Sequence, residues 1–179
     1  KEQGKIKAIG ASIKGRNVTE HTQELIRQYI DTGQVAAIQL IFTILRQSNR
    51  AIFDYADENG VALVGRTCLE SGFLTSKYEP GVEFTDHRKV WNGEQADEIV
   101  GVVDELADEL VQPPYENMAQ VALRFCLDHD GLDTIIPGAK NATQARQNAR
   151  VTELPPLPDE VHEMLRDRFK NGEDIVNVT

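Results

Sequence analysis

A glycine, a cation and the start of a helix follow one short apolar segment near the end of the chain. The stretch TIIPGAKNATQARQNAR, residues 134–150, places Gly138 two residues after the apolar run, then Lys140, and then a polar sequence of helical character. A positive charge beside the unpaired amides of a helix N-terminus is a favourable setting for an anion. The sequence therefore predicts an anion site at this turn, of the kind that holds a phosphate.

Polar or small residues also occur in or at the ends of three earlier apolar segments, where they can face a ligand. These residues are Gly10, Ser12, Gln39, Arg66 and Thr67. Gln39 interrupts the apolar run AIQLIF, and it suits either a contact with loop backbone or a contact with a ligand. Because an unpaired buried guanidinium is costly, Arg66 should either pair with a carboxylate such as Glu70 or stack on a planar ligand ring.

Other residues that often carry chemistry show no such arrangement. The four histidines are scattered and lack the spacing of metal ligands, so no metal site is predicted. Lys77 and Arg88 flank the loop sequence YEPGVEFTDH, and cations in such a loop are by themselves typical of a solvated surface. The sequence contains no nucleophile elbow, no P-loop and no paired-cysteine metal motif.

The elements that must position these residues alternate between strands and helices. Short apolar runs predict strands over residues 5–11, 35–42, 61–66 and 134–138. Apolar residues at helical spacing predict helices over residues 19–31, 50–60 and 94–110, after Pro114, and twice near the end, the last over residues 158–170. Four nearly all-apolar strands separated by helices indicate a parallel sheet covered by helices.

Two α/β architectures fit this pattern: an open doubly wound sheet, or part of a (β/α)8 barrel. The doubly wound sheet usually has a Gly-x-Gly-x-x-Gly turn after its first strand, whereas the turn GASIKGRN has glycines five residues apart. The pattern favours the C-terminal half of a (β/α)8 TIM barrel, with four parallel βα units and extra helices. The turns after the third and fourth strands would then follow barrel strands seven and eight, where phosphate frequently binds.

Half of a barrel on its own would leave two open hydrophobic edges. We therefore expect residues 1–179 to form a single segment, with the N-terminal half absent from this chain and supplied by a preceding part of the polypeptide or by another chain. The sequence begins KEQGKIKAIG, without a methionine and with the first predicted strand almost at once, as expected for the middle of a longer protein.

The composition is that of a folded acidic protein. The formal charge is −10 and the pI is near 4.9, which argues against nucleic acid and anionic membranes as partners. No apolar run approaches the roughly 18 residues that a membrane span requires, and no secretory signal is evident. The two cysteines, Cys68 and Cys126, lie in apolar segments and are expected to be reduced in the core of a cytoplasmic protein.

Five motifs occur in order along nearly the whole chain: GKIKAIGAS, IQLIFTIL, ENGVALVGRTCLESGFLTSKYEPG, MAQVALRF and TIIPGAKNATQARQNA. Together they resemble the C-terminal half of the aldo-keto reductase superfamily, over about residues 4–170. The resemblance implies a (β/α)8 barrel oxidoreductase that uses NADP(H) to interconvert an aldehyde or ketone, its small-molecule substrate, with the corresponding alcohol. This chain would supply the half that binds the cofactor.

The resemblance also implies which residues hold each part of the cofactor. The nicotinamide would lie at Ser12 and Gln39, which hold its carboxamide, and at Arg66, which stacks on its ring. The pyrophosphate would lie at Thr67, Leu69, Ser71 and Gly72, with Lys77 and Arg88 reaching from the loop. The ribose 2′-phosphate would lie at Gly138, Lys140 and Gln144, and the adenine edge at Gln147 and Asn148.

The resemblance places the proton-donating tyrosine and its aspartate, lysine and histidine companions in the first half of the barrel. No tyrosine of this chain stands in a matching motif, so no catalytic residue is assigned and the segment alone is expected to be inactive. Two alternatives remain open. One is a non-catalytic, regulatory nucleotide-binding half-barrel that pairs with another chain. The other is an aldolase or isomerase that forms a Schiff base at Lys140.

Overall fold

A computed structural model describes residues 1–15, 17–169 and 175–177 of the chain. Within these residues the centre of the fold is a parallel sheet of four strands, which neighbour one another in sequence order. The strands are β1 (Gly10–Ser12), β2 (Ala37–Ile41), β3 (Ala62–Arg66) and β4 (Thr134–Ile136). Their pairing places one row of residues across the sheet, namely Ser12, Gln39, Val64 and Thr134. The predicted parallel α/β sheet is confirmed.

Helices connect the strands and cover one side of the sheet. They are α1 (Glu20–Asp31), α2 (Phe53–Glu58), α3 (Glu94–Leu110), α4 (Met118–Leu127), α5 (Ala142–Arg150) and α6 (Asp159–Arg168). N-cap side chains fix several of the starts, because an oxygen there accepts a backbone amide that the helix leaves unpaired. Thr19 caps α1, Asn117 caps α4 and Asn141 caps α5.

Two strands are shorter than the sequence pattern predicts. β1 begins at Gly10 rather than at residue 5, because β2 begins opposite Gly10 and a strand needs a neighbour for its hydrogen-bond ladder. β4 ends at Ile136, since Pro137 has no amide hydrogen with which to continue the ladder. β2 and β3 lie within the predicted ranges 35–42 and 61–66.

The predicted helices are present, with different bounds in places. The helix predicted over residues 50–60 begins as a 3₁₀ turn at Ser48–Ile52 and continues as α2. The helix after Pro114 starts only at Met118, and α6 ends at Arg168; the predicted end at Lys170 lies outside the described residues. Among the helices that the structure describes, none combines the length and apolar character that a membrane crossing requires.

The two faces of the sheet differ in burial. On one face Ile38, Leu40 and Leu63 are fully buried beneath the helices. Alternate residues point to the other face, here called the open face. Its half-buried or exposed residues include Ser12, Ala37, Gln39, Ala62, Val64, Arg66, Thr134 and Ile136. Within the described residues β1 and β4 each have one neighbouring strand, so the sheet is open at both edges.

The helix-covered side forms one continuous apolar core. In this core the ring of Phe42 lies 5.0 Å from that of Phe53 and 5.9 Å from that of Phe125, measured between ring centres. α3 and α4 contribute buried side chains at helical spacing. Cys68 and Cys126 are free thiols buried in the same core. This side of the sheet therefore has its packing partners within the chain.

Candidate functional site

The carboxyl ends of β3 and β4 lie beside a pocket of about 710 Å³, here called the carboxyl-end pocket. Its walls are the segments that follow the two strands, the turn around residues 86–88, and the N-terminal ends of α4 and α5. Of the residues selected from the sequence, it is lined by Thr67, Leu69, Ser71, Gly72, Lys77, Arg88, Gly138, Lys140, Gln144, Gln147 and Asn148. The structure thus brings together two groups of residues that a long stretch of sequence separates.

The pocket concentrates positive charge in an acidic chain. Lys77, Arg88 and Lys140 contribute cations, and the N-cap residue of α4, Asn117, lies in the same lining. One carboxylate, that of Asp86, lies in the same lining and forms an ion pair with Arg88. Clustered cations beside helix N-termini can bind a phosphate or another anion.

Side-chain hydrogen bonds shape the turn that follows β4. Asn141 Oδ1 accepts the backbone amide of Gln144 at 2.9 Å, and Gln144 Oε1 accepts the backbone amide of Lys140 at 2.7 Å. Asn148 Nδ2 donates to the carbonyl oxygen of Gly138 at 3.2 Å. The Lys140 side chain is exposed, so its ammonium group can reach an anion that binds above the turn.

The two glycines of the pocket have different surroundings. A Cβ atom at Gly138 would meet no atom within 4 Å, so packing inside this chain does not require glycine there. Gly72 has a φ of +96°, and a Cβ atom on it would lie 2.6 Å from Lys77 Nζ. The left-handed backbone therefore favours glycine at position 72, whereas the flexible Lys77 side chain could move away from a Cβ atom.

Arg88 is anchored by acidic and aromatic neighbours. Its guanidinium forms an ion pair with Asp86, donates a hydrogen bond to the Tyr78 hydroxyl and lies 4.7 Å from the centre of the Phe84 ring. The hydrogen bond from Arg88 lowers the pKa of the Asp86 carboxyl, and the same contact raises the pKa of Arg88. Lys77 Nζ lies 4.7 Å from the centre of the Tyr78 ring. Both cations are therefore gathered around Tyr78.

The remaining predicted site residues, Ser12, Gln39 and Arg66, lie on the open face rather than in the pocket lining. Ser12 Oγ donates a hydrogen bond to Gln39 Oε1 at 2.8 Å. Gln39 pairs with Val64 in the sheet, two positions before Arg66 in the same strand. The pairing of the strands thus brings the polar residues of β1, β2 and β3 to one region of the open face.

Backbone oxygens satisfy much of the Arg66 guanidinium. Its Nη2 atom donates to the carbonyl of Ile13 at 2.8 Å and to that of Gly15 at 3.3 Å. Of the two alternatives for Arg66, the ion pair with Glu70 is not formed, because the Glu70 carboxylate accepts hydrogen bonds from Arg46. Burial, and then the positive charge of Arg46, lower the pKa of Arg66.

Several residues of the pocket were not selected from the sequence. Asp86, His87, Asn117 and Gln120 also line it. Asn117 is the N-cap of α4, where its Oδ1 accepts the backbone amide of Gln120 at 3.0 Å. An asparagine just before an apolar helical run is a recognisable cap signal. No local signal in the sequence, however, shows that this end of α4 faces the turn after β4.

The tyrosines of this chain lie away from the open face. Tyr29 and Tyr55 are on α1 and α2, Tyr78 contacts Arg88 beside the pocket, and Tyr115 is buried just ahead of α4. In the part of the chain that the structure describes, no group of three His, Cys, Asp or Glu side chains is arranged to hold a metal ion. The chemistry of the described site is therefore that of cations, amides and a planar guanidinium.

The sequence of the chain is similar to that of known reductases. The model of the Aldo/keto reductase family matches residues 1–168. The L-glyceraldehyde 3-phosphate reductase of Escherichia coli (strain K12) is 26 % identical over 162 residues, which cover 83 % of this chain and 45 % of that protein. A probable voltage-gated potassium channel subunit beta of Arabidopsis thaliana is 26 % identical over 130 residues, which cover 64 % and 38 %.

The fold is similar to that of solved aldo-keto reductases. The holo form of the aldo-keto reductase AKR11C1 from Bacillus halodurans matches with a TM-score of 0.62 and 25 % identity, covering 81 % of this chain and 45 % of that one. The glycerol dehydrogenase AKR11B4 from Gluconobacter oxydans matches with a TM-score of 0.73 and 20 % identity, covering 97 % and 52 %.

These matches bear on both the fold and the family. The structural neighbours are (β/α)8 barrels, and this chain covers about half of each, which confirms the predicted half-barrel fold. The chain likewise spans less than half the length of the two similar proteins from E. coli and Arabidopsis. Because the family model covers nearly all of the described residues, this chain belongs to the aldo/keto reductase family.

Proposed function

We propose that this chain is the cofactor-binding half of an NADP(H)-dependent oxidoreductase that interconverts an aldehyde or ketone with its alcohol. The observation that carries the proposal is the convergence of Lys77, Arg88 and Lys140 around one pocket that the N-cap of α4 also lines, in a chain of this family. The relative from E. coli is named as a reductase of L-glyceraldehyde 3-phosphate, an aldehyde, which supports a carbonyl substrate.

The residues of the pocket fit the phosphate-bearing part of NADP(H). This dinucleotide carries a pyrophosphate and a separate 2′-phosphate, so it requires positive groups at two places. Lys77 and Arg88 belong to the segment after β3, whereas Lys140 belongs to the turn after β4. The open space above Gly138 leaves room for a phosphate to approach the backbone closely.

Each part of the pocket then has a role in binding. The pyrophosphate would contact the segment after β3 through Thr67, Leu69, Ser71 and Gly72. Lys140 would pair with the 2′-phosphate, and Gln144 would act mainly by holding the Lys140 amide in place. Gln147 and Asn148, one turn further along α5, would contact the adenine edge.

The open face fits the nicotinamide end of the cofactor. The hydrogen bond from Ser12 fixes the side-chain amide of Gln39, which can then bind a carboxamide. Arg66 holds a planar guanidinium nearby, and such a group can stack on an aromatic ring. When bound, NADP(H) supplies the hydride for carbonyl reduction. Ser12, Gln39 and Arg66 would orient the nicotinamide ring on this face.

We propose that the other half of the barrel, from the same polypeptide or a second chain, completes the open face. Ile9, beside β1, is 41 % exposed and Ile136, in β4, is 47 % exposed. Apolar side chains at unpaired strand edges require a covering neighbour. The same half would supply the general acid, since the tyrosines of this chain lie elsewhere. This chain alone would then bind the cofactor without reducing a carbonyl.

One relative supports a second function. The Arabidopsis protein is named as a probable voltage-gated potassium channel subunit beta, which is the name of a subunit and not of an enzyme. The alternative is therefore a half-barrel that binds a nucleotide, pairs with another chain and performs no reduction. A completed barrel that binds NADPH but does not oxidise it with a panel of aldehydes and ketones would favour this alternative.

The aldolase or isomerase alternative receives no support from the surroundings of Lys140. A Schiff-base lysine is usually activated by desolvation in an apolar pocket, whereas the Lys140 side chain is exposed. Borohydride trapping with a small aldehyde tests this alternative directly, and we expect no covalent adduct at Lys140.

A fluorescence titration with NADPH and with NADH tests the proposed function. We expect Lys140→Ala to weaken NADPH binding by about 10- to 100-fold and to change NADH binding little, because hydrogen bonds to charged groups contribute roughly 1.5–3 kcal/mol. Lys7→Ala is the matched control, since Lys7 is an exposed lysine that precedes β1 at the opposite end of the sheet.

Two results would contradict the proposal at different levels. Equal weakening of NADPH and NADH binding by Lys140→Ala would remove the 2′-phosphate role of this lysine. No binding of either cofactor, by this chain or by a completed barrel, would contradict the proposed function as a whole.

A further inference from the structure

A buried ion pair joins the segment after β2 to the segment after β3. The side chains of Arg46 and Glu70 are 2 % and 0 % exposed. Glu70 Oε2 accepts hydrogen bonds from Arg46 Nε at 2.9 Å and from Thr43 Oγ1 at 3.0 Å. Glu70 Oε1 accepts a further hydrogen bond from Arg46 Nη2. Three donors of the first segment thus converge on one carboxylate of the second.

Fold stability alone gives little reason for such a pair. Removing two charges from water is costly, and buried ion pairs can often be replaced by apolar side chains without loss of stability. A more informative explanation is that the pair fixes the position of the backbone to which its residues belong. Glu70 belongs to the segment that supplies Thr67, Leu69, Ser71 and Gly72 to the pocket lining.

That segment has an unfavourable backbone conformation. The φ angles are +65° at Thr67, +45° at Glu70 and +54° at Ser71, and none of these residues is glycine. L-residues rarely adopt positive φ, and they keep it only where surrounding contacts impose it. The Glu70 side chain lies in the buried interior, while its neighbours on both sides line the pocket. Glu70 is therefore placed to impose this conformation from inside.

We propose that Arg46 and Glu70 are positioning residues that hold residues 67–72 in the conformation that contacts the cofactor phosphates. This inference rests on the proposed function of the carboxyl-end pocket. Thr43 contributes to the same arrangement through its hydrogen bond to Glu70. The pair itself does not line the pocket, so its effect on binding would pass through the backbone of residues 67–72.

The same pair acts on Arg66. The charge of Arg46 lowers the pKa of Arg66 and the charge of Glu70 raises it, so the two charges oppose each other at this guanidinium. A variant that removes only the Glu70 charge would leave Arg46 to repel Arg66. A variant that removes both charges together avoids this repulsion, and it is the cleaner test of positioning.

The test compares Arg46→Met/Glu70→Leu with a matched control that removes an exposed ion pair, Arg168→Met/Glu105→Leu. The control side chains, those of Arg168 and Glu105, are 31 % and 69 % exposed. Three measurements are made on each protein: thermal unfolding, NADPH titration, and hydrogen exchange of backbone amides without cofactor. The reporter amides are those of Gly72, Leu74 and Ser76, which donate to carbonyl oxygens inside the same segment.

We expect the buried-pair variant to unfold cooperatively and to exchange the reporter amides about tenfold faster, since local opening is no longer opposed by the pair. Its dissociation constant for NADPH should rise by about 10- to 100-fold, the effect of weakening roughly one hydrogen bond to a charged phosphate. The control should match the parent in all three measurements. Unchanged exchange and unchanged NADPH binding in the folded buried-pair variant would overturn the inference.

A second variant tests the inference if the first does not fold, and one outcome separates the inference from the proposed function. If Arg46→Met/Glu70→Leu does not fold, Thr43→Val removes one of the three hydrogen bonds to Glu70 and keeps the ion pair. It should then raise both the exchange rate and the dissociation constant by a few-fold; no change in either would overturn the inference. If the parent binds no NADPH while exchange at the reporter amides accelerates, the proposed function fails and the positioning of the segment stands.

Discussion

The two ends of the sheet use charge for different purposes. At the carboxyl ends of the strands, Lys77, Arg88 and Lys140 surround the pocket of about 710 Å³. At the amino ends, a second cavity of about 500 Å³ is lined by acidic residues, among them Asp130 and Asp133. Asp133 Oδ2 accepts the backbone amide of Leu63 at 2.7 Å, so this carboxylate joins β4 to β3. At the amino ends an aspartate thus stabilises the pairing of the strands, whereas the cations at the carboxyl ends line the pocket that we propose as the cofactor site.

Two glycines on either side of β4 show the same contrast. Gly131, before the strand, has a φ of +86°, and a Cβ atom there would lie 3.0 Å from Phe53 Cβ. Gly138, after the strand, would have nothing within 4 Å of a Cβ atom. The fold of this chain therefore accounts for Gly131 but not for Gly138. The space above Gly138 is open, and under the proposed function it is the space that a cofactor phosphate would occupy.

The largest expected effect is a loss of stability at low pH, caused by His129 at the amino ends of the strands. Burial lowers the pKa of His129 to about 4 from its ordinary 6.5. Between these pH values the unfolded chain binds more protons than the folded chain, so the free energy of unfolding falls as pH drops from about 6.5 to 4, by roughly 3 kcal/mol. The neighbouring charges are Arg50 and His162, which oppose protonation, and Asp128, which favours it. Below pH 4 His129 is protonated in the folded and the unfolded chain, so the full loss of stability from this residue has been reached.

Urea unfolding at pH 7 and at pH 4.5 measures this effect, with His129→Gln as the comparison. The variant keeps a side-chain donor for the Phe125 carbonyl, which His129 Nδ1 contacts at 2.7 Å. It should lose less stability than the parent between the two pH values. Equal losses in both proteins would show that His129 does not drive the acid sensitivity of this end.

The second prediction concerns Gly138. We expect Gly138→Val to leave the midpoint of thermal unfolding unchanged, because the added side chain meets no atom of this chain within 4 Å of its Cβ. NADPH binding should weaken by about 10- to 100-fold, since the side chain would occupy the space of a phosphate and break roughly one hydrogen bond to it. Titration and thermal unfolding of the same sample check both parts. If Gly138→Val bound NADPH as strongly as the parent does, Gly138 would have no role in cofactor binding and would not differ from Gly131 in that respect.

The third prediction concerns Gly131, where we expect the opposite result: lower stability and unchanged NADPH binding. Gly131→Ala should lower the free energy of unfolding by about 1–2 kcal/mol, the cost of placing an L-residue in the left-handed region. The close approach to Phe53 adds to this cost. Binding of NADPH by the folded variant should equal that of the parent. If the folded variant bound NADPH more weakly than the parent does, Gly131 would not have a purely structural role.

The smallest expected effect is at Asp133. Asp133→Ala should destabilise the fold by about 1 kcal/mol, because the Leu63 amide loses its side-chain acceptor. NADPH binding should not change, since Asp133 is at the opposite end of the strands from the pocket. Chemical unfolding and titration again provide the measurements. Stronger NADPH binding in this variant would indicate that the acidic end acts on the pocket through long-range charge.

Local sequence patterns predict some elements of this fold accurately and others inaccurately. The pattern predicts β2, β3, α1 and α3 to within a few residues, because the alternation of apolar positions is a local property. It misjudges the length of β1, since the extent of a strand depends on where its neighbour begins. The sequence also leaves open whether Arg66 pairs with Glu70. Glu70 is only four residues from Arg66 along the chain, but in the structure it pairs with Arg46 across the interior.

The amino-acid pattern alone predicts that this chain alternates apolar strands with helices and that Gly138 and Lys140 follow the last strand. The three-dimensional fold is needed to show that Lys77, Arg88 and Lys140 share one pocket, that the N-cap of α4 lines it too, and that Arg46 pairs with Glu70 in the interior. Periodicity and capping depend on neighbouring residues along the chain. The meeting of distant side chains depends on strand order, register and helix packing, which the complete fold alone establishes.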